Sequence, residues 1–223
     1  IYTNLNTLSL HDALPISFAA PLFFVLMAFS SGLSQAATAL IARQLGAGET
    51  GEARLTWTHA VALAVAVGGL LTLLGLWGAP YLLAAQGADG EVLRLARDFA
   101  AVLFGGAAAF LLVATVNAAL VAEGDARPNF WFLAAGGVAN LALNFVLMRP
   151  WGVAGIAAST VIVQVAGTIA LSLVARRCGW PLRAPAQWRA ATFGALLRQA
   201  WPNVANMLMI PVAIFLVTRQ VAT

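Results

Sequence analysis

The sequence has no lysine, a single cysteine and little charge of either sign. Only 9% of its 223 residues are charged, against roughly 25% in a soluble domain. A chain so depleted could not cover a water-exposed surface without aggregating, so the bilayer is its natural solvent. The twelve basic residues, all arginine, outnumber the eight acids and leave a formal charge of +4 and a pI near 10.6. The arginines stand at the ends of apolar runs and not on the clustered basic face that nucleic acid would need, and no nucleic-acid partner is expected. The lone Cys178 excludes an internal disulfide and a thiolate metal cluster. No nucleophile elbow, phosphate loop or His/acid metal motif occurs, and the GxxG pattern at 152–155 reads as a helix start. The expectation is a protein that is not an enzyme and carries no cofactor.

What the sequence has in abundance is apolar length. Apolar residues make up 61% of it, with a mean hydropathy of +0.88. Residues 1–16 stand apart, polar and aperiodic. TLSLHDALPI, at 7–16, resembles the translation of a common short-read sequencing adapter, so 1–16 is expected to be an artefact, with His11 and Asp12 carrying no function. On that reading the true gene begins upstream of Ser17. The segment also lacks the basic start, apolar centre and cleavage site of a signal peptide.

Six apolar runs follow, at 18–41, 57–84, 92–121, 130–148, 153–175 and 197–218. Each is long enough for the roughly 20 helical residues that cross a hydrocarbon core. Uniform apolarity over such lengths predicts helices and not barrel strands, which would alternate and be shorter. The connectors carry Gly, Pro and charge: GAGETGE at 46–52, AAQGADGE at 84–91, EGDARP at 123–128 and RPWG at 149–152. The longest, from 176 to about 196, is rich in Arg, Pro and Trp. Eight arginines (43, 54, 127, 176, 177, 183, 189, 198) fall on one side of the expected topology and four (94, 97, 149, 219) on the other, which makes the long connector cytoplasmic. Within it, 186–201 reads as an interfacial amphipathic stretch with Trp188 and Phe193 among the arginines. The fold class is an all-α polytopic membrane helix bundle with six visible spans.

No acid lies mid-span. Asp98, with Arg94 four residues before it and Arg97 adjacent, reads as an ion-paired cluster at the outer interface. Uncharged polar groups go deeper: Gln35 and Thr38 in the first run, Asn117 in the third, Asn203 and Asn206 in the last. Asn140 and Asn144, four apart in the fourth run, share one helical face, as do Thr160 and Gln164 in the fifth. Buried amides in lipid need partners, so these faces should look inward, onto each other or a wet cavity. His59, alone at the start of the second run, reads as structural. The pairs Gly68-Gly69, Gly105-Gly106 and Gly136-Gly137 suit close helix packing.

Three stretches, in order, carry a resemblance. GLSQAATALIARQLGAGETGEAR (32–54) is similar to the second helix and following loop of the multidrug and toxic compound extrusion (MATE) family. AEGDARP (122–128), with VANLALNFVLM (138–148) and GVAGIAASTVIVQ (152–164), resembles that family's loop after helix four and its helices five and six. LLRQAWPNVANMLMIPVAIFLVTRQVA (196–222) looks like helix seven. The resemblance implies a two-lobe transporter of about twelve helices, of which this chain holds helices two to seven. The remainder of the first lobe falls at 17–180, a cytoplasmic inter-lobe linker at 181–196, and the truncated start of the second lobe at 197–223. It further implies export of amphipathic cationic drugs in exchange for H⁺ or Na⁺, in the bacterial inner membrane, by a protein that is monomeric when complete. In the family a helix-one Asp holds the ion, with polar partners that match Asn117, Asn140, Asn144 and Thr160 here. Asn144 stands where some members carry Asp, which leaves the ion open. The pathway residues expected are these four with Gln164 and Gln35. A lipid-linked oligosaccharide flippase of the same superfamily is the first alternative, although it should line its cavity with arginines. A membrane scaffold without transport is the second.

Overall fold

The computed structural model describes residues 3–181 and 187–221, with side chains over 15–181, 187–209 and 211–213. Six helices occur in this order: α1 (Thr3–Gly46), α2 (Thr50–Ala85), α3 (Gly90–Gly105), α4 (Ala107–Ala122), α5 (Arg127–Arg177) and α6 (Ala190–Val221). No strand occurs among the described residues. The fold class is therefore the one expected from the sequence. Helix α1 continues back to Thr3 through the segment expected to stand apart. The side chains of His11, Asp12, Arg183 and Arg219 lie outside the described residues.

Helices α1, α2 and α5 are each long and apolar enough to cross a membrane, and α3 with α4 makes a further, bent span. The bend, 41°, falls at Gly106. There the Val161 side chain approaches so closely that a Cβ would meet it at 2.5 Å. Helix α5 is in fact a hairpin. Gly152 adopts φ 54°, ψ −134°, a conformation open only to glycine, and divides 127–151 from 153–177. In a straight helix Phe132 and Gly167 would lie about 50 Å apart at 1.5 Å per residue. Instead a Cβ on Gly167 would meet the Phe132 ring at 2.1 Å. The two limbs are the separate fourth and fifth runs of the sequence. The sixth run falls in α6, which starts at Ala190, inside the segment that the sequence assigned to the linker.

Away from their ends α2, α4 and the limbs of α5 carry no amphipathic pattern, so packing selects their buried face, whereas α3 sets Glu91, Arg94 and Asp98 apart from a buried stripe of Ala96, Phe99, Ala100 and Leu103. Along α2 buried residues step 53, 57, 60, 64, 68, 71, 75, 79, 83, one stripe of a 3.6-residue period, with Thr56, Thr58 and His59 buried as well near its start. Leu70, Leu73, Leu74, Trp77 and Tyr81 remain exposed opposite it, a lipid-facing surface. Helix α4 is central and lies almost wholly in the core. Ser30 and Ser34 of α1 donate to its Phe110 and Ala114 carbonyls at 2.8 and 2.9 Å. Gly68 of α2 sits against Ala108, where a Cβ would stand 2.5 Å from that Cα. Helix α6 runs antiparallel along α1, Val204 against Gly32 and Leu208 near Leu22.

One end of the bundle gathers the connectors expected to be cytoplasmic. Trp180 donates to Glu123 at 3.0 Å and lies on Trp57, 5.7 Å between ring centroids. Arg189 pairs with Glu52 at 2.9 Å. At the opposite end Arg94 reaches Glu91 at 3.4 Å and Asp98 at 3.9 Å, the ion cluster read from the sequence. Its groups are more than half exposed, so it contributes little stability.

Candidate functional site

The α5 hairpin brings Asn140 and Asn144 of its first limb to Ser159 and Thr160 of its second. Asn144 donates from Nδ2 to Asn140 Oδ1 at 3.2 Å, and Asn140 donates from Nδ2 to Thr160 Oγ1 at 3.2 Å. Thr160 passes its proton to the Ile156 carbonyl one turn back, at 3.1 Å. Ser159 donates to Asn144 Oδ1 from the other end and also lies 2.8 Å from the Ile156 carbonyl. A hydroxyl has one proton, so Ser159 serves one of these acceptors at a time. The result is a directed chain, Ser159 to Asn144 to Asn140 to Thr160 to backbone, in which every bond polarises the next. Ser159 is fully buried, and the two asparagines and Thr160 are half-buried.

Two more of the expected residues carry unused hydrogen-bonding capacity. Gln164 lies one turn beyond Thr160, and its Oε1 is buried with no hydrogen-bond partner among the described residues. Asn117, on α4, has its Oδ1 buried without a partner as well. Helix α4 packs along the same limb, with Gly106 against Val161 and Thr168 3.4 Å from the Ala109 carbonyl. A buried oxygen without a donor costs free energy unless something brings one to it: a water, a protonated group or a cation. Gln35 is placed differently. Its side chain is exposed on α1 and donates to Ser31 at 2.7 Å, and no hydrogen bond among the described residues joins it to the network.

The sequence missed Ser159. A serine within Ala-Ala-Ser-Thr is unremarkable on a single helix, and its role depends on the register of the hairpin. It also read His59 as a lone structural residue, whereas the ring is bonded on both nitrogens. No group of three or more His, Cys, Asp or Glu that could hold a metal occurs among the described residues. Cys178 is exposed.

The MatE family model matches residues 16–146, more than half of the chain. No curated protein matches the sequence. Among solved structures, MATE in complex with MaD3S matches at TM-score 0.85 and 25% identity, over 92% of this chain and 48% of that one. The inward-facing and outward-facing conformations of a multidrug resistance MATE family transporter of the MOP superfamily match at TM-score 0.83 each, with 23% and 25% identity. They cover 92% and 90% of this chain, and 48% and 46% of theirs. A MOP superfamily transporter from Pyrococcus furiosus, whose binding pocket has reversed polarity suggesting a different function, matches at 0.84 and 24% identity, over 96% of this chain and 51% of its own. The chain thus spans about half the length of the transporters it matches. With its apolar helices, its doubled α5 and its matched segment together, the chain belongs to the MatE family of multi-pass membrane transporters.

Proposed function

We propose that the protein to which this half contributes is a secondary antiporter of the inner membrane, exporting amphipathic cations in exchange for H⁺ or Na⁺, with no cofactor and as a monomer. The observation that carries the reading is the amide and hydroxyl chain of Asn140, Asn144, Ser159 and Thr160, beside the unpartnered oxygens of Gln164 and Asn117. Such groups in apolar helices are costly unless they are used, and a chain of hydrogen bonds that can reverse its donors is a means of sensing a proton or cation. The equal TM-scores against inward-facing and outward-facing relatives suit a half that moves as a unit while the other half rocks against it. Drug export is favoured over lipid-linked oligosaccharide flipping because no described arginine joins the Asn140, Asn144, Ser159 and Thr160 chain, where a pyrophosphate path would call for one.

The test is transport by the full-length gene product in proteoliposomes. A fluorescent amphipathic cation should move against its gradient when a pH or Na⁺ gradient is imposed, and not when both are collapsed. Transport of a pyrophosphate-linked lipid instead, with no cation movement, would overturn the reading.

A further inference from the structure

We propose that His59 is a proton-sensitive positioning residue, clasping the start of α6 to α2 only while its ring is neutral. The imidazole is completely buried. Its Nδ1 lies 2.8 Å from the Leu55 carbonyl. A carbonyl can only accept, so Nδ1 carries the proton and Nε2 presents a lone pair. That lone pair accepts the backbone N–H of Arg189 at 3.0 Å, across 130 residues of sequence. Arg189 is the residue from which α6 starts, for its carbonyl receives the N–H groups of Thr192 and Phe193 at 3.0 and 3.3 Å. Trp188 and Phe193 stack on each other, 5.7 Å apart and 8° from parallel, and both present their rings to His59, with Phe193 at 4.8 Å.

A second fastening joins the same elements. The Arg189 guanidinium grips both oxygens of Glu52, on α2, at 2.9 and 3.0 Å. Among the described residues, Arg189 and Glu52 are the charged groups joined by an ion pair at this junction. Glu52 is committed to Arg189, and no described carboxylate lies within ion-pair distance of the ring. No described carboxylate is therefore free to compensate a charged imidazole. Protonation would turn Nε2 from acceptor to donor and set N–H against N–H. It would also place a positive charge at a helix N-terminus, the positive end of its dipole, beside a guanidinium. The neutral ring holds α6 and the charged ring releases it. Because α6 follows the connector from α5 and lies along α1, release frees the angle at which it leaves the first half. Relevance to transport rests on the function proposed above, whereas the clasp itself does not.

The experiment is amide hydrogen exchange on the full-length protein in nanodiscs, read over residues 188–193 and corrected for intrinsic rates, at about pH 8 and at about pH 5.5. In the wild type, protection should fall about fivefold on acidification, the worth of one hydrogen bond. His59→Gln places a non-titrating oxygen near the position of Nε2 and should keep protection at both values. His59→Ala should lack it at both. Glu52→Gln breaks only the charged fastening, so it should lower protection while leaving the pH dependence in place. Protection independent of pH in the wild type, or equally dependent in His59→Gln, would overturn the proposal. In the transport assay His59→Gln should flatten the cytoplasmic-side pH profile without changing the maximal rate. Absence of any cation transport by the wild type would count against the proposed function alone, since the exchange data still decide the clasp.

Discussion

Asn140, about midway along the first limb of α5, donates its side-chain amide to Thr160 on the second limb, 3.2 Å away and twenty residues later. In an apolar surrounding these polar atoms rely on one another, within the limb and across to the other, for their hydrogen bonds. Replacing Asn140 with Ala strands the Asn144 amide, and replacing both with Ala removes the middle of the chain from Ser159 to Thr160. The double variant should insert and fold, because interhelical bonds of this kind contribute about 1 kcal/mol each. Export of an amphipathic cation should nevertheless fall at least about tenfold, the effect of about 1.4 kcal/mol on a transport barrier. Size-exclusion profiles and proteoliposome uptake measured on one preparation check both halves. Export at the wild-type rate would remove these residues from the pathway.

Each glycine pair of the sequence divides between a packed member and a free one. A Cβ on Gly68 would stand 2.5 Å from the Ala108 Cα, while one on Gly69 would meet nothing within 4 Å. Gly106 and Gly105, and Gly136 and Gly137, divide in the same way. Gly68→Ala should therefore push α2 from α4 and cost about 1–3 kcal/mol, as overpacking does. Gly69→Ala should be neutral or stabilising by up to about 1 kcal/mol through helix propensity. Thermal unfolding in detergent separates them: the first melts lower than wild type, the second at or above it.

These pairs show what could be read from the residues and what could not. Close packing was legible, since small residues in apolar helices serve little else, but which glycine of each pair touches a neighbour depends on the rotation of the helix. The shared face of Asn140 and Asn144 followed from i, i+4 spacing, and the family resemblance set Thr160 among their polar partners. Ser159 did not, because only the register of the hairpin brings it to Asn144. Gln35 shows the converse: a polar residue in an apolar run is drawn inward by argument, yet in the structure it is exposed and satisfied by Ser31 one turn away. The bond between His59 and Arg189 spans 130 residues and involves a backbone donor, so no side-chain pattern could announce it.

The α5 hairpin should fail in two independent ways. Gly152→Ala forces a side chain into φ 54°, ψ −134°, at a cost of about 1–3 kcal/mol. Gly155 is helical, but a Cβ there would meet the Leu147 carbonyl at 2.2 Å, so Gly155→Ala must part the limbs just above the turn. Gly137→Ala, on the open face of the first limb, is the control. Yield of monodisperse protein should drop for the first two and hold for the third. Equal yields for all three would mean that the turn is looser than its glycines suggest.

Trp57 and Trp180 touch, with ring centroids 5.7 Å apart, yet conservative replacement should affect them unequally. The Trp180 N–H donates to Glu123 at 3.0 Å and ties the turn after α4 to the end of α5. The Trp57 N–H is buried without a partner among the described residues, and its side chain is fully enclosed. Trp180→Phe keeps most of the contact but releases Glu123, and should cost about 1 kcal/mol for the lost hydrogen bond, together with a smaller packing loss. Glu123→Gln retains an acceptor and should change less. Trp57→Phe deletes an unsatisfied donor whose burial costs about 1–3 kcal/mol, against a comparable penalty for the smaller ring, so its net effect should be near zero or stabilising. Unfolding followed through light scattering distinguishes the pair without relying on tryptophan emission. A Trp57→Phe variant that melts well below Trp180→Phe would mean that the Trp57 N–H has a partner, such as an ordered water.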